Sequence, residues 1–286
     1  MQFSALALVL SAAVIHATWN LLAKRAAGGA VFVWLYAVTS TVLWAPVTLP
    51  TLLGSWSRLD ARSWVFLVGS GIMHMGYFLI LQRGYLHSDL SIVYPIARGS
   101  GPLLSTLAAV AIYHERPTPV GWAGIGMIVM GILLLARPSG TRHVHASRAV
   151  LYGLVTGVLI GLYTVWDKHA VATLAIPPLL MEWITSVTRT VLMAPVAWVQ
   201  RGQALEDWRT KRGLAIAIGA LNPLSYLLIL IAMTFSPVSV IAPAREISVV
   251  LGVLFGVGLL REGHARLRLS AACITVCGVV LLATGG

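Results

Sequence analysis

The chain has 286 residues, of which 58% are hydrophobic and only 10% are charged, and its mean hydropathy is +0.87. A soluble domain carries about 25% charged residues, so this composition excludes a soluble globular fold, which could not hide so much apolar surface. The formal net charge of +11 would suit a nucleic-acid partner only if Lys and Arg clustered on one exposed face; here they punctuate apolar runs, which excludes that partner and points to a lipid bilayer.

Crossing the hydrocarbon layer takes about 20 mostly apolar residues per helix, and ten runs qualify. In chain order they are 3–22, 30–53, 63–82, 90–113, 118–136, 149–166, 177–199, 213–233, 238–260 and 268–284. The first run has no basic residue before it and reads as a membrane helix rather than a cleaved signal. Trp56, Trp64 and Trp208 lie near predicted helix ends, where indoles anchor at the interface. Gly153, Gly157 and Gly161, and again Gly252 and Gly256, recur at helical spacing and allow close backbone approach. Cys273 and Cys277 share one helix face and read as packing residues, with neither a disulfide framework nor a metal site. The expected fold class is an all-α integral membrane bundle, multi-pass in the cell (inner) membrane.

The two halves of the chain repeat each other. Ser88, Ser91 and Pro95 recur 148 positions later as Ser236, Ser239 and Pro243; Arg98, Glu115, Gly131 and Ala136 recur 147 positions later as Arg245, Glu262, Gly278 and Ala283. Lys24 at the end of helix 1 likewise matches Lys168 at the end of helix 6. A constant order and a near-constant offset are the mark of duplication. Residues 1–136 form the first five-helix repeat, 137–148 a basic linker and 149–286 the second repeat. Five is odd, so the second copy enters the membrane reversed and the repeat is inverted. Connections after odd-numbered helices hold thirteen Lys and Arg against four after even-numbered ones. That bias predicts both termini outside.

Polar side chains at membrane depth mark functional candidates. Ser91, Tyr94, Arg98, Gly101 and Ser105 follow spacings of three and four and form a polar stripe on helix 4, which Pro95 and Pro102 weaken. Glu246 follows Arg245 directly, but adjacent helical residues point about 100° apart, so their pairing needs bent side chains. Arg98 is followed by Gly99, leaving a repeat-related cation without the matching anion. Two readings of Arg98 stand: it holds an anionic substrate group, or it forms a structural ion pair with Glu182. Glu182 and Arg189 are two turns apart and share a face. Further candidates for a cavity are His16, Trp19 and Asn20 on helix 1, His74 and Tyr77 on helix 3, Tyr163 on helix 6, and Asn222 and Tyr226 on helix 8. His16 and His74 are also candidates for carrying a coupling proton, each against the alternative of a hydrogen-bonded packing residue.

His114, Glu115, Arg116 and Pro117, followed by Gly121, Gly124 and Gly131-Ile132-Leu133-Leu134-Leu135, resemble the end of the EamA repeat of the drug/metabolite transporter superfamily. Arg261-Glu262-Gly263, followed by Gly278-Val279-Val280-Leu281-Leu282, repeats that resemblance. It implies alternating access around a cavity lined by helices 1–4 and 6–9, with helices 5 and 10 as scaffold, and export or exchange of small metabolites without ATP hydrolysis. The chain departs from the related small multidrug-resistance proteins, having no Glu or Asp in the middle of helix 1. The expected function is therefore secondary transport of a small anionic or amphipathic metabolite, by a monomer or a homodimer, with no cofactor. A flippase for a lipid-linked phosphate headgroup is the alternative, and an intramembrane enzyme, for which no HExxH pair or Walker loop is found, is the third reading.

Overall fold

Ten apolar runs joined by short polar connections leave the backbone one way to satisfy its hydrogen bonds in lipid, which is to form helices. A computed structural model describes residues 2–87, 90–135, 146–251 and 265–285, without the side chains of 85–92, 94, 95, 135, 146 and 265–269. Among these residues the α-helices are α1 (Phe3–Ala26), α2 (Ala30–Ser55), α3 (Ala61–His87), α4 (Leu90–Tyr113), α5 (Pro119–Leu135), α6 (Ala146–Lys168), α7 (Pro178–Val199), α8 (Arg201–Phe235), α9 (Val238–Ala244) and α10 (Ala265–Gly285). A π-helical turn, His169–Thr173, follows α6. The calls on Ser88, on most of the basic linker and on Gly252, Gly256, Arg261 and Glu262 lie outside the described residues.

Most helix pairs among the described residues follow the two-fold exchange that an inverted repeat requires, while the close packing of α4 on α6 has only a slight counterpart in α1 on α9. α1 packs on α8 as α6 packs on α3, and α2 packs on α8 as α7 packs on α3. The pairs α2–α7, α4–α9 and α5–α10 map onto themselves. Glycines show the symmetry at atomic scale: a Cβ on Gly131 would lie 2.8 Å from the Ala271 carbonyl oxygen, and one on Gly278 would lie 2.7 Å from that of Gly124. The offset of 147 positions exchanges these two contacts. α5 and α10 are therefore pressed backbone to backbone, which small residues permit where lipid provides no hydrophobic drive. Gly153 on α6 does the same against α4, since a Cβ there would meet Ile96 Cβ at 2.7 Å.

Two elements differ from the sequence expectation. α8 starts at Arg201 instead of residue 213, because Asp207 links its basic first turns, accepting from Gln203 Nε2 at 3.1 Å and from Lys211 Nζ at 2.9 Å. At 1.5 Å per residue this helix is about 50 Å long, so its charged start projects beyond the hydrocarbon. The run from 238 is broken at Arg245 and Glu246 and is helical again over 247–251. Pro243 has no N–H for the helical ladder, and the chain tightens into bonds from Glu246 N to Pro243 O and from Ser248 N to Arg245 O. α4, by contrast, stays helical through Pro95 and Pro102. Cys273 and Cys277 are free and exposed on the outer face of α10, so they are not core packing residues.

The close contact of α5 with α10 sets a test on neighbouring glycines. A Cβ on Gly124 would meet backbone atoms at 2.7 and 2.9 Å, whereas one on Gly126 meets nothing within 4 Å. Gly124→Ala should destabilise the purified protein by roughly 1–3 kcal/mol, read as a lowered melting temperature in detergent, and Gly126→Ala should leave it unchanged or raise it.

Candidate functional site

Short links alternate the helix direction, so the connections α1–α2 and α3–α4 lie at one end of the bundle and α2–α3, α4–α5, α6–α7 and α8–α9 at the other. A cavity of about 370 Å³ lies between the repeats. It is lined from α1, α2, α3, α4, α6, α7 and α8 and from the broken ninth segment, and by no described residue of α5 or α10. Gly28 in the α1–α2 connection and the exposed Gln82 near the end of α3 belong to its wall. The cavity thus reaches the end of the bundle where α1 and α3 finish.

Ten of the residues singled out in the sequence border this cavity: His16, Trp19, Asn20, His74, Tyr77, Arg98, Tyr163, Asn222, Tyr226 and Arg245. Glu246 is fully buried behind it. The side chains of Ser91 and Tyr94 lie outside the described residues. Asn20 spends its amide on its own helix, donating to the His16 carbonyl at 2.7 Å, while the His16 ring meets Trp19 edge-on at 5.0 Å. Glu182 and Arg189, read in the sequence as sharing a face of helix 7, both face the cavity.

The arginines are partnered differently from the sequence expectation. Arg98 Nη2 lies 2.9 Å from Glu246 Oε2 and donates to Ser248 Oγ at 3.5 Å. Its counter-ion is therefore Glu246 from the other repeat; it is neither without an anion nor dependent on Glu182 for one. Arg245 Nε stands farther from the same carboxylate, 3.5 Å from Oε1, and its Nη2 has no hydrogen-bond partner among the described residues. Its guanidinium lies over the Tyr163 ring, 5.9 Å from the centroid. The break after Ala244 explains the exchange: off the regular helix, Glu246 is free to meet α4. Buried guanidinium and carboxylate need each other, because an isolated charge away from water costs several kcal/mol.

A second charged group was missed. Asp167, fully buried, binds His74 Nε2 at 3.1 Å and accepts from Tyr226 Oη at 2.6 Å, both at its Oδ2. Around it stand four rings: His74 is 3.9 Å from Tyr163, 5.1 Å from Tyr226 and 6.0 Å from Tyr77 between centroids. Sequence reading ended helix 6 at residue 166 and left Asp167 in a connection. The usable signal was its spacing of four from Tyr163, which puts both on one face of a helix that continues to Lys168.

The opposite end of the bundle is tied shut. Lys168 Nζ donates to the carbonyls of Met233 at 2.7 Å and Ser236 at 2.9 Å, the last acceptors of α8. The Glu115 carboxylate accepts from the N–H groups of Val238 and Ser239, both at 2.8 Å, at the start of α9. An ammonium on a helix C-terminus and a carboxylate on an N-terminus both follow the helix dipole. Tyr113 Oη donates to the Val165 carbonyl at 2.8 Å, and Phe66 stacks on Trp166 and His169 at 4.2 and 5.1 Å. One copy of the duplicated Glu, from the first repeat, and one of the duplicated Lys, from the second, are thus helix caps at the same end of the bundle.

The pairing of Arg98 with Glu246 sets a double-mutant test on melting temperature. Neutralising Arg98 and Glu246 singly and together should give a coupling of roughly 0.5–3 kcal/mol, as for residues in contact. The same cycle on Arg98 and Glu182 should be additive.

The family model described as the EamA-like transporter family matches residues 3–137 and 147–284. A multidrug transporter of Pseudomonas aeruginosa is 30% identical over 79 residues, 27% of this chain and 69% of that protein. A solved structure titled only as the crystal structure of a protein superposes with a TM-score of 0.73 over 98% of this chain and 96% of its own, at 20% identity, and shows the fold alone. Two matched repeats, a two-fold exchange of helix contacts and an all-helical membrane bundle agree, and the chain belongs to the EamA-like transporter family within the drug/metabolite transporter superfamily.

Proposed function

We propose that the chain is a secondary transporter that moves a small metabolite bearing an anionic group by alternating access, with Arg245 as the principal anion contact and Arg98 beside it. The observation that supports this most is a cavity between the repeats, bordered by Arg98, Arg189 and Arg245, that reaches one end of the bundle while Lys168, Glu115 and the Phe66 stack close the other. An inverted repeat reaches the opposite state when its halves exchange conformations. Lys24 and Glu262 are the sequence images of Lys168 and Glu115, so the same caps are available to close the other end. Arg245 is favoured over Arg98 because its Nη2 has no hydrogen-bond partner among the described residues, the residue borders the cavity, and a guanidinium grips a carboxylate or phosphate with paired bonds that Lys cannot copy. Applied to the loop charges, this reading places the cavity mouth on the cytoplasmic side.

Uptake of radiolabelled small carboxylates, phosphates and phosphonates into proteoliposomes tests the proposal. Arg245→Lys should raise the KM for the accepted anion roughly thirtyfold or more while the protein still inserts, the equivalent of losing about 2–5 kcal/mol of charged contact. Uptake no faster than in empty liposomes for every compound would defeat the proposal. The orientation is checked by labelling a cysteine placed at position 205, which should react only from the cytoplasm. Proton coupling through the His74–Asp167 pair predicts faster uptake under an imposed pH gradient and loss of that acceleration in His74→Gln; equal rates with and without the gradient would remove it.

A further inference from the structure

We propose that the closed end of the bundle carries a pH-sensitive latch, the bond between Arg62 and His169, which holds only while His169 is neutral and lets α3 part from the end of α6 when the imidazole takes a proton. Arg62 stands in the first turn of α3, and its Nη2 lies 3.1 Å from Nε2 of His169. A guanidinium has donors only, so that imidazole nitrogen is the acceptor and carries no hydrogen. A second proton on the ring would set N–H against N–H and bring two cations together at the same place. The bond sits where the helix is least regular: His169 opens the π-helical turn that prolongs α6, its carbonyl accepting from Leu174 N at 3.1 Å. Turns of this kind frequently stand at functional sites. The other repeat has Arg25 at the matching place, one residue after Lys24, so the latch has no image at the open end.

Of the charged ties at this end, the latch is the one that changes near neutrality. Lys168 caps α8 and Glu115 caps α9. An ammonium, a carboxylate and a guanidinium ordinarily keep their charges between about pH 5 and 8, whereas an imidazole does not. Phe66 stacks on His169 at 5.1 Å, but an aromatic face accepts a cationic ring as well as a neutral one, so the stack does not oppose the proton. The π turn packs against α3, α6, α7 and α8, whose other titratable groups are engaged elsewhere. Asp60, just before α3, accepts from Ser63 N at 2.8 Å and Ser63 Oγ at 2.7 Å. Asp167 on α6 is turned to His74 and to Tyr226 of α8, and Glu182 on α7 faces the cavity. Arg62 and Lys168 are the cations beside the ring, and among the described residues no acid bonds to it. The closed state therefore holds one proton fewer at His169 than a state in which Arg62 has left. By linkage, acid shifts the balance towards the parted state by up to about tenfold per pH unit, and alkali restores closure. With the cavity mouth on the cytoplasmic side, the latch answers acidity outside.

The test measures distances by electron spin resonance on the full chain in liposomes, with Cys273 and Cys277 replaced by Ser and spin labels attached at Ser57→Cys and Phe235→Cys. Ser57 lies in the α2–α3 connection near the latch, Phe235 ends the helix that Lys168 ties to the π turn, and both are exposed. Between about pH 8 and about pH 5 a longer-distance population should appear and grow as the pH falls. His169→Gln, whose amide oxygen still accepts from Arg62 but cannot titrate, should keep the alkaline distances throughout. His114→Gln, at an exposed histidine of the same end, should respond like the parent. Constant distances in the parent overturn the latch, since Arg62 then swings aside without moving the helices, and so does an unchanged response in His169→Gln. If His169→Gln fails to fold, Arg62→Gln decides alone: its amide donates to the neutral imidazole and accepts from the protonated one, so a response that survives there overturns the proposal. The distances are read without any substrate, so the latch stands or falls separately from the transport assay.

Discussion

A guanidinium on the cavity wall and a fully buried carboxylate join the two repeats at the centre of this bundle. Arg98 comes from α4 and Glu246 from the break after α9, so the pair ties repeat-related helices to each other. Desolvating either charge alone would cost several kcal/mol, and the contact is therefore conditional on both helices keeping their places. The break in the ninth segment is what allows it. A regular helix would carry Glu246 about 100° around from Arg245, whereas tightening after Pro243 leaves both side chains directed to one carboxylate-centred cluster.

The same rule, that charge in lipid must be matched, governs the closed end. Helix termini there carry unsatisfied carbonyls and N–H groups that water cannot reach freely, and Lys168 and Glu115 satisfy them with full charges. Such caps are strong and directional, and they sit against packed side chains: Val238 and Ala242 pack on Ala109 and Tyr113, and Met233 lies in the main core. α5 packs against α10 differently, glycines bringing the backbones together, and no described residue of either helix lines the cavity.

The sequence made the fold legible because each constraint that builds it is local or periodic. Twenty-residue apolar runs declare helices, and a constant offset between Arg98 and Arg245 or Glu115 and Glu262 declares duplication. What it hid depends on where a helix stops. Asp167 was lost with the last residues of α6, and the helical extension of α8 was lost because charged residues from Arg201 to Arg212 looked like a loop; Asp207 makes them a helix by bonding along it. Arg98 was misread for a different reason. Its partner lies 148 positions away, and sequence adjacency assigned Glu246 to Arg245, although in space the shorter contact is with Arg98.

Inverted duplication can be read in the charges around the cavity. Duplication alone would give both halves the same charges, and Arg98 with Arg245 preserves that inheritance. The copies then diverged: Glu246 stands where the first repeat has Gly99, and Asp167 stands where it has Ala23, one residue before Lys24. Each acid entered only the second half. A charge added to one copy is not mirrored in the other. Arg98 and Arg245 share Glu246, Glu182 and Arg189 also face the cavity, and Asp167 stands behind the aromatic rings. Both halves inherit the symmetric scaffold, and these unshared acids set the chemical character of the space between them.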